Sequence, residues 1–226
     1  MKRNDFTIIE LLLVVAIAGV LLAVAVPSFS RILKGTGPTR AARELIGKLN
    51  AARAYAVSNK TDVAIIFPQD ELASITNQLG YQSYRVCEVY IQSNGTITFK
   101  RWVPGENWNY LPSGVLIGKD KNNNNELFFK PGDDSDEKTA TTTQSAKTVT
   151  LVEDANARPA IPSGTDFNNG IIFRSDGMLL AMQPVLIKIR EARKEGNSLR
   201  PANLDYLPLV VRFNGKVKAF NEVVSE

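Results

Sequence analysis

FTIIELLLVVAIAGVLLAVAV, residues 6–26, is an apolar segment of 21 residues in which Glu10 is the only charged side chain. A helix rises about 1.5 Å per residue, so this length spans roughly 30 Å, the thickness of the hydrocarbon core of a bilayer. A carboxylate inside such a segment costs on the order of 2.5–3.5 kcal/mol on membrane-insertion scales. We therefore expect a transmembrane helix whose Glu10 is neutralised by a cation from a neighbouring copy. The chain is then one subunit of a polymer that is stored in a membrane.

Two simpler interpretations of residues 6–26 are a cleaved secretory signal peptide and an ordinary single-span anchor. A signal peptide has an apolar region of about 7–15 residues followed by a small-residue cleavage site. The segment here is longer and continues into Pro27-Ser28-Phe29. An ordinary anchor would have no need of Glu10. We favour the polymer subunit over both alternatives.

The residues around this segment resemble the N-terminal signature of type IV pilins and pseudopilins. The matching features are a basic leader at residues 1–3 (MKR), the sequence FTIIE at residues 6–10, the apolar helix and Pro27. The resemblance implies that a prepilin peptidase cuts before Phe6 and that the new amine is methylated. It also implies that Glu10 pairs with such an amine during assembly, and that Pro27 loosens the helix where it leaves the bilayer.

Asp5 departs from this signature, because the family has Gly just before the cut. A charged side chain at this position is expected to slow cleavage of the Asp5–Phe6 bond. Without cleavage, Phe6 keeps a peptide nitrogen that cannot carry the cation that Glu10 needs. The resemblance further implies a single-pass protein of the cytoplasmic (inner) membrane, in contact with membrane lipid, with its globular domain outside the cytoplasm.

The expected organisation is a leader at residues 1–5, a transmembrane helix at 6–26, a linker with a helix break at 27–38 and a globular domain at 39–226. The first helix should continue to about Lys34 and break at residues 35–38, where two glycines and a proline occur. Thr39 is a candidate N-cap for a second helix that ends near Asn59. The apolar residues of this helix recur at three- and four-residue spacing and predict one stripe packed on a sheet: Ala42, Leu45, Ile46, Leu49, Ala52 and Ala56.

Nine segments rich in β-branched and aromatic residues follow and predict an antiparallel sheet that partly wraps the helix. They are Asp62–Phe67, Tyr84–Ile91, Ile97–Trp102, Leu127–Lys130, Val149–Val152, Gly170–Phe173, Val185–Ile189, Leu209–Phe213 and Lys216–Phe220. Asn214-Gly215 predicts a hairpin with a two-residue type I′ turn. The fold class is therefore α+β, with a long N-terminal transmembrane helix followed by a helix packed on antiparallel β-sheets.

The globular half narrows the resemblance to the GspH/FimT family of minor pseudopilins. Three segments are similar to that family and occur in its order: ARELIGKLNAARAYAVSNKTDVAIIF at residues 42–67 with Arg53 near the helix end, Ile171–Gly177, and the strand pair Leu209–Val217 with Gly215. Membership implies an N-terminal helix half embedded in two β-sheets, and other pilin or pseudopilin subunits as partners. It implies a structural subunit of a type II secretion fibre, with priming or capping of the fibre as further roles. The alternative is a type IV pilus minor pilin with a ligand-binding tip for DNA uptake or adhesion.

The composition argues against most enzyme classes. The chain has no His, which removes the common general base, the Ser–His pair and most zinc sites. Its single cysteine, Cys87, allows neither Cys-x-x-Cys chemistry nor an internal disulfide. No glycine-rich phosphate loop follows a predicted strand. We therefore expect no catalytic residues and no resident cofactor.

An Asn-rich segment leaves calcium binding open as an alternative. Asp120, Asn122, Asn124 and Glu126 place oxygen side chains at every second residue, as at the start of a calcium loop. The segment lacks the glycine expected at the sixth position and the acid expected at the twelfth. A solvated turn is the preferred interpretation, and a weak calcium site is the alternative.

Residues 184–218 carry eight basic residues against three acidic ones, whereas the whole chain has a formal charge of +4. A solvated face or a subunit contact is the simpler interpretation of this basic segment. Non-specific DNA contact through phosphate charge is the alternative. The candidate DNA-contacting residues are Arg190, Arg193, Lys194, Arg212, Lys216 and Lys218.

Overall fold

The computed structural model describes residues 8–33, 36–68, 81–118, 128–132, 137–138, 140–143, 147–150, 166–195 and 198–225. Within α1, the side chains of Glu10 and of residues 23–33 are not described. The chain forms two compact units, Met1–Thr36 and Gly37–Glu226. The predicted processing residues Asp5 and Phe6 lie outside the described residues, as does the whole predicted calcium segment, Asp120 to Glu126.

The first unit contains helix α1, Ile8–Leu33. The large apolar side chains described in α1 are 53–80% exposed, so the helix presents apolar surface on every side that the structure describes. Pro27 lies within the helix, which continues for six residues beyond it. Counting only the described residues, no helix of this structure is both long and apolar enough to cross a membrane.

Helix α2, Thr36–Asn59, begins three residues before the predicted N-cap, so the assignment of Thr39 as the cap is wrong. Gly37 and Pro38 lie in its first turn instead of breaking the helix. Proline is tolerated there because the first amides of a helix have no intrahelical partner. A break of the helix at Gly35 stays a prediction, because Lys34 and Gly35 both lie outside the described residues.

The end of α2 at Asn59 confirms the predicted boundary. Lys60 follows in a left-handed conformation, with φ +50°. The amide of Thr61 donates to the carbonyl of Ala56 at 3.1 Å, which is the long hydrogen bond of a Schellman motif. The helix is therefore stopped by a C-terminal cap in which Lys occupies the position usually taken by Gly.

The second unit contains α2 and the thirteen strands found among the described residues. They are β1 Asp62–Ile66, β2 Ser83–Ile91, β3 Ile97–Trp102, β4 Asn109–Tyr110, β5 Val115–Ile117, β6 Phe128–Pro131, β7 Ala140–Thr143, β8 Lys147–Thr150, β9 Asp166–Phe173, β10 Val185–Glu195, β11 Ser198–Pro201, β12 Leu207–Val211 and β13 Val217–Ala219. Each of the nine predicted strands overlaps an observed one. The prediction missed β4, β5, β7 and β11, which have at most four residues each and too little sequence to show a pattern.

The first sheet is curved into a ring. Its order is β1-β9-β8-β3-β2-β4, and β1 also pairs with β2, which closes β1, β9, β8, β3 and β2 into a ring with β4 paired to β2 outside it. All of its pairings are antiparallel except β3 with β8. Alternate residues of the same strands therefore face different cores. The inner cluster contains Ala64, Ile66, Cys87, Val89, Ile97 and Ile172.

The second sheet has the order β13-β12-β10-β6-β7, with β5 and β11 also paired to β10. The main core contains residues of α2 and of both sheets, among them Leu45, Val63, Phe173 and Leu209. On α2 the buried residues are Ala41, Ala42, Leu45, Leu49, Ala52 and Ala56. This confirms the predicted stripe except at Ile46, which is only partly buried.

The three Gly-containing turns at residues 92–96, 174–178 and 212–216 have the same hydrogen bonds. In each, the Gly amide donates to the carbonyl of the first residue, whose own amide donates to the carbonyl of the fifth. Gly95, Gly177 and Gly215 all have positive φ, whereas Asn214 does not. A type I′ turn needs positive φ at both central residues, so the predicted turn type is wrong. The geometry is that of a type I turn followed by a left-handed Gly in a bulge.

Candidate assembly surfaces

Two of these turns meet on Arg53, near the C-terminal end of α2. The guanidinium Nε of Arg53 donates a hydrogen bond of 3.0 Å to the carbonyl of Gly177. A Cβ placed on Gly215 would lie 2.1 Å from that carbonyl oxygen and 2.6 Å from Arg53 Nε. The turns can approach this closely only because both lack a side chain at their left-handed position. This contact, which we name the Arg53 clamp, joins α2 to the turn that follows β9 and to the turn between β12 and β13.

A buried carboxylate also ties the C-terminal part of α2 to the ring. Glu88 of β2 is buried and accepts a hydrogen bond of 2.9 Å from the hydroxyl of Tyr55 on α2. Lys100 and Arg101 of β3 lie 2.8 and 2.7 Å from its carboxylate oxygens. Burial alone raises the pKa of Glu88, but hydrogen bonds from Arg101, Lys100 and Tyr55 outweigh it and lower the pKa to about 2. Glu88 is therefore ionised in the folded protein at neutral pH.

Glu88 was not among the residues predicted from the sequence, although its place in the strand pattern contained a usable signal. Val86 and Glu88 lie two positions apart on β2, on one face of the strand, and both are buried, so the carboxylate occupies a core-facing position. A charged residue at such a position needs partners. Its two cations, Lys100 and Arg101, follow twelve and thirteen residues later on the paired strand β3.

Most of the residues predicted to form a basic, DNA-contacting surface are buried or paired with a carboxylate. Arg190 is 0% exposed, and its guanidinium donates to the carbonyl of Leu204 at 2.9 Å. Its assignment as a DNA-contacting residue is wrong, because a phosphate cannot reach a buried guanidinium. Its side chain lies instead over the ring of Tyr206. Alternation along β10 places Arg190 on the same face as Lys188, which is also buried.

Two more of the candidate cations share one carboxylate. Arg212 forms two hydrogen bonds of 2.9 Å to Glu137, and Lys218 lies 2.7 Å from the same carboxylate. Hydrogen bonding to Arg212, more than to Lys218, lowers the pKa of Glu137 to about 2, against the opposing effect of burial. Arg193 pairs with Glu195 at 2.6 Å. Lys194 and Lys216 are exposed. The structure therefore does not assemble the six candidates into one continuous phosphate-binding surface.

A shallow groove of about 390 Å³ runs between α2 and the edge strand β4. It is lined by Glu44, Gly47, Lys48, Ala51, Tyr84, Asn109 and Tyr110. Burial, with the nearby charges of Glu44 and Glu106, raises the pKa of Tyr84 to about 12. A neutral phenol at the floor of an open groove offers no activated nucleophile or base. Among the residues that the structure describes, no group of three His, Cys, Asp or Glu side chains could hold a metal ion.

Of the residues predicted to act in assembly, Glu10 and Pro27 lie on α1. An apolar helix with exposed side chains and a domain of one helix packed on antiparallel sheets are the two parts that the sequence predicts for a pilin-like protein. The family described as "Type II transport protein GspH" matches residues 41–205. The chain belongs to this family of minor pseudopilins, which are structural and non-enzymatic envelope proteins with a membrane anchor.

The individual proteins to which this chain is similar match it over a short segment or at low sequence identity. A "Fimbrial protein" of Pseudomonas aeruginosa is 38% identical over 68 residues, which are 30% of this chain and 44% of that protein. The match thus spans less than half the length of this curated relative. The minor pseudopilin EpsH from the type II secretion system of Vibrio cholerae is 12% identical, with a TM-score of 0.43, and the match covers 86% of this chain and 99% of that one. The type IV minor pilin FimU of Pseudomonas aeruginosa is also 12% identical, with a TM-score of 0.41 and coverage of 83% and 92%.

Proposed function

We propose that this protein is stored in the cytoplasmic membrane through residues 6–26 and is assembled with other pseudopilins into a periplasmic fibre of a type II secretion system. The observation that carries the proposal is the exposed apolar surface of α1, where large side chains from Ile8 to Leu22 are 53–80% accessible. Contiguous apolar surface of this extent indicates a membrane or protein partner. Lipid covers this surface in the stored subunit, and helices of neighbouring subunits cover it in the fibre.

Glu10 gives the proposed assembly its specificity. Its carboxylate is the only charge in residues 6–26. An anion in hydrocarbon is costly unless a cation accompanies it. The N-terminal amine released before Phe6 in a neighbouring subunit supplies that cation in the fibre. The proposed pairing thus favours the assembled subunit over the subunit that remains in lipid.

The test is incorporation of a Glu10→Ala variant into fibres, compared with its insertion in the membrane. We expect insertion to be intact, because removing a charge makes the segment more apolar, and incorporation to be lost. Glu44→Ala is the matched control, since it removes an exposed carboxylate from α2 of the globular unit. Fibre incorporation of Glu10→Ala at the level of the unchanged protein would show that the proposed pairing is wrong.

The alternative of a DNA-binding pilus tip is less well supported by the arrangement of cations. Arg190 is buried and Arg212 and Lys218 are paired with Glu137, which leaves fewer free charges for phosphate. Fluorescence anisotropy with labelled duplex at about 50 and 200 mM salt separates the two functions. We expect no saturable binding at either concentration. Salt-dependent binding that is lost in Lys194→Ala with Lys216→Ala would favour the DNA-binding alternative.

A further inference from the structure

Three large apolar side chains from separate elements are exposed on the second unit. Val57, Met182 and Phe213 are 47%, 67% and 55% exposed. They belong to the last turn of α2, to the loop between β9 and β10, and to the turn between β12 and β13. We name these three side chains the turn-end patch.

Contacts among these elements hold the three side chains close together. A Cβ placed on Gly177 would lie 2.9 Å from Cγ2 of Val57. The amide of Leu179 donates to the carbonyl of Phe213 at 2.9 Å, and the amide of Met182 donates to the carbonyl of Leu179 at 3.2 Å. Leu179 thus joins the segments of Met182 and Phe213, and Gly177, two positions before it, lies against Val57.

The fold does not require the apolar side chains of the turn-end patch. Position two of the three equivalent turns is Ser93, Ser175 and Phe213, so the same turn forms with serine. Met182 has φ +51°, a left-handed conformation that favours Gly and is strained for other residues. The chain thus keeps a strained residue and an optional aromatic residue at one exposed place. Such local strain is typical of functional surfaces.

The composition of the turn-end patch is that of a protein-binding surface. Aromatic residues and Met are enriched in the cores of protein–protein interfaces. Phe213 supplies a rigid ring, and the flexible thioether of Met182 adapts to the shape of a partner. The patch therefore favours an apolar protein surface as its ligand.

The position of the patch suits a contact that orients the domain. The chain enters the second unit at Gly37, and Val57 lies twenty residues later on the same helix. At about 1.5 Å per residue, roughly 30 Å of helix separates the two. A domain held only at Gly37 can turn about that point, whereas a second contact at the far end of α2 fixes its direction.

The small size of the patch limits the kind of partner that it can hold. Three partly exposed side chains present on the order of 300 Å², whereas a stable interface buries about 800 Å² on each partner. Two free domains would not be held by this contact alone. A partner that is already attached nearby needs little more, because the second contact is then effectively intramolecular.

The proposed function determines which protein is attached nearby. In a pseudopilin fibre, subunits are brought together through their apolar N-terminal helices. This chain belongs to a family of minor pseudopilins. A minor subunit is outnumbered by the other subunits of its fibre, so the neighbours of one copy have a different sequence.

We propose that the turn-end patch docks on an apolar surface of a different pilin-type subunit, one held beside this chain through its own apolar N-terminal helix, and so fixes the direction of the domain in the fibre. This inference rests on the proposed function, which brings the partner to the patch. The docking explains why Met182 and Phe213 stay apolar while exposed.

The test is photo-cross-linking of the full-length chain in cells that make all subunits of the fibre. The chain carries p-benzoylphenylalanine in place of Phe213, a replacement of similar shape. Tyr110 is the matched control position, because it is also aromatic and 55% exposed but lies on the groove beside Gly47, ten residues before Val57 on α2. We expect a product severalfold more abundant from position 213 than from position 110. Mass spectrometry should identify its second chain as a different protein with a pilin-type apolar N-terminal helix.

Three outcomes of the cross-linking overturn the inference. They are a yield no higher than that of the Tyr110 control, a product with a second copy of this chain, and a product with a protein that lacks a pilin-type helix. Incorporation of the chain into fibres is scored in the same cells. Fibres without the expected product overturn the inference and leave the proposed function intact. The expected product from a chain that never enters fibres supports the docking and contradicts the proposed fibre.

A second measurement tests the apolar side chains themselves and guards against variants that misfold. The cross-linker is placed at Val57, and the yield is compared in Phe213→Ser and Met182→Gly. Both variants should lower the yield severalfold. Phe213→Ser should leave the thermal midpoint of the domain unchanged, and Met182→Gly, which relieves the left-handed strain, should leave it unchanged or raised. If both variants cross-link as well as the unchanged background does, the apolar side chains are not the docking surface and the inference is wrong.

Discussion

Replacing Gly215 with Ala tests the contribution of the Arg53 clamp to stability. Gly215 has φ +76°, so the new side chain pays about 1–2 kcal/mol for a left-handed conformation. Its Cβ would also meet the Gly177 carbonyl at 2.1 Å and the Cδ of Arg53 at 2.8 Å. The backbone carbonyl must then move, which breaks the 3.0 Å hydrogen bond from Arg53. A hydrogen bond to a charged donor contributes about 1.5–3 kcal/mol. We expect the free energy of unfolding to fall by about 3–5 kcal/mol.

Gly95→Ala is the matched control for this prediction. Gly95 occupies the same position of an equivalent turn with φ +84°, but a Cβ there would meet nothing within 4 Å. Gly95→Ala should therefore lower the free energy of unfolding only by the cost of the left-handed conformation, about 1–2 kcal/mol. The difference between the two variants isolates the contact between the turns and Arg53. The loss of stability in Gly177→Ala should lie between those of the other two variants. The atom nearest to the new Cβ belongs to the side chain of Val57, at 2.9 Å, and this side chain can shift.

The assay is urea unfolding of residues 37–226, the second compact unit, followed by the fluorescence of Trp102 and Trp108. A domain with about 5–15 kcal/mol of stability should still fold with Gly215→Ala. The slope of the transition should be unchanged, since the surface exposed on unfolding is the same. Equal losses for Gly215→Ala and Gly95→Ala would refute the reasoning. The Arg53 clamp would then contribute nothing beyond the left-handed conformation of its turns.

Three further predictions concern buried groups and processing. Glu88→Gln should lower the free energy of unfolding by on the order of 2 kcal/mol at pH 7. Because folding lowers the pKa of Glu88 to about 2, the difference in stability between the variant and the unchanged protein should vanish as the pH falls from about 4.5 towards 2. A stability difference that does not depend on pH would contradict this prediction. Burial raises the pKa of the Cys87 thiol, so maleimide should label Cys87 at pH 7 only as the domain unfolds globally in urea. Rapid labelling of Cys87 in the folded chain would show that the ring opens locally. Asp5→Gly should speed cleavage before Phe6, as measured by mass spectrometry of the membrane-extracted chain, and complete methylation of the unchanged chain would show that Asp5 does not slow the peptidase.

Much of the architecture was predictable because it depends on local periodicity. The stripe on α2 follows from apolar residues at three- and four-residue spacing, and the strands β1, β2 and β3 follow from β-branched and aromatic residues bounded by turn residues; the structure confirms these elements. Errors occurred where a local preference was overridden. Asn214-Gly215 favours a type I′ turn in isolation. The close approach of the Gly177 turn and Arg53 is instead compatible with a turn in which Gly215 alone is left-handed.

The candidate surfaces were less predictable than the fold, because charge in a sequence does not indicate burial. Arg190 and Lys194 belong to the same basic stretch of β10. The first is buried beneath Tyr206 and the second is exposed, because β10 leaves the core towards its C-terminal end. Arg212 is neutralised by Glu137, a residue 75 positions earlier that lies in a polar segment with no pattern of its own. Such a pairing has no signal in the spacing of residues along the chain.

The sequence by itself determined that this protein has an apolar N-terminal helix with one carboxylate, a second amphipathic helix, and a series of short strands, since each depends on contacts between near neighbours. It also contained the segments that place the chain in the GspH family. Only the tertiary structure decided that the first sheet forms a ring, that two glycine turns meet on Arg53, and that Glu88 is buried among its cations. These features join residues distant in sequence, and their energy comes from close packing and desolvated charge, which exist only after the chain has folded.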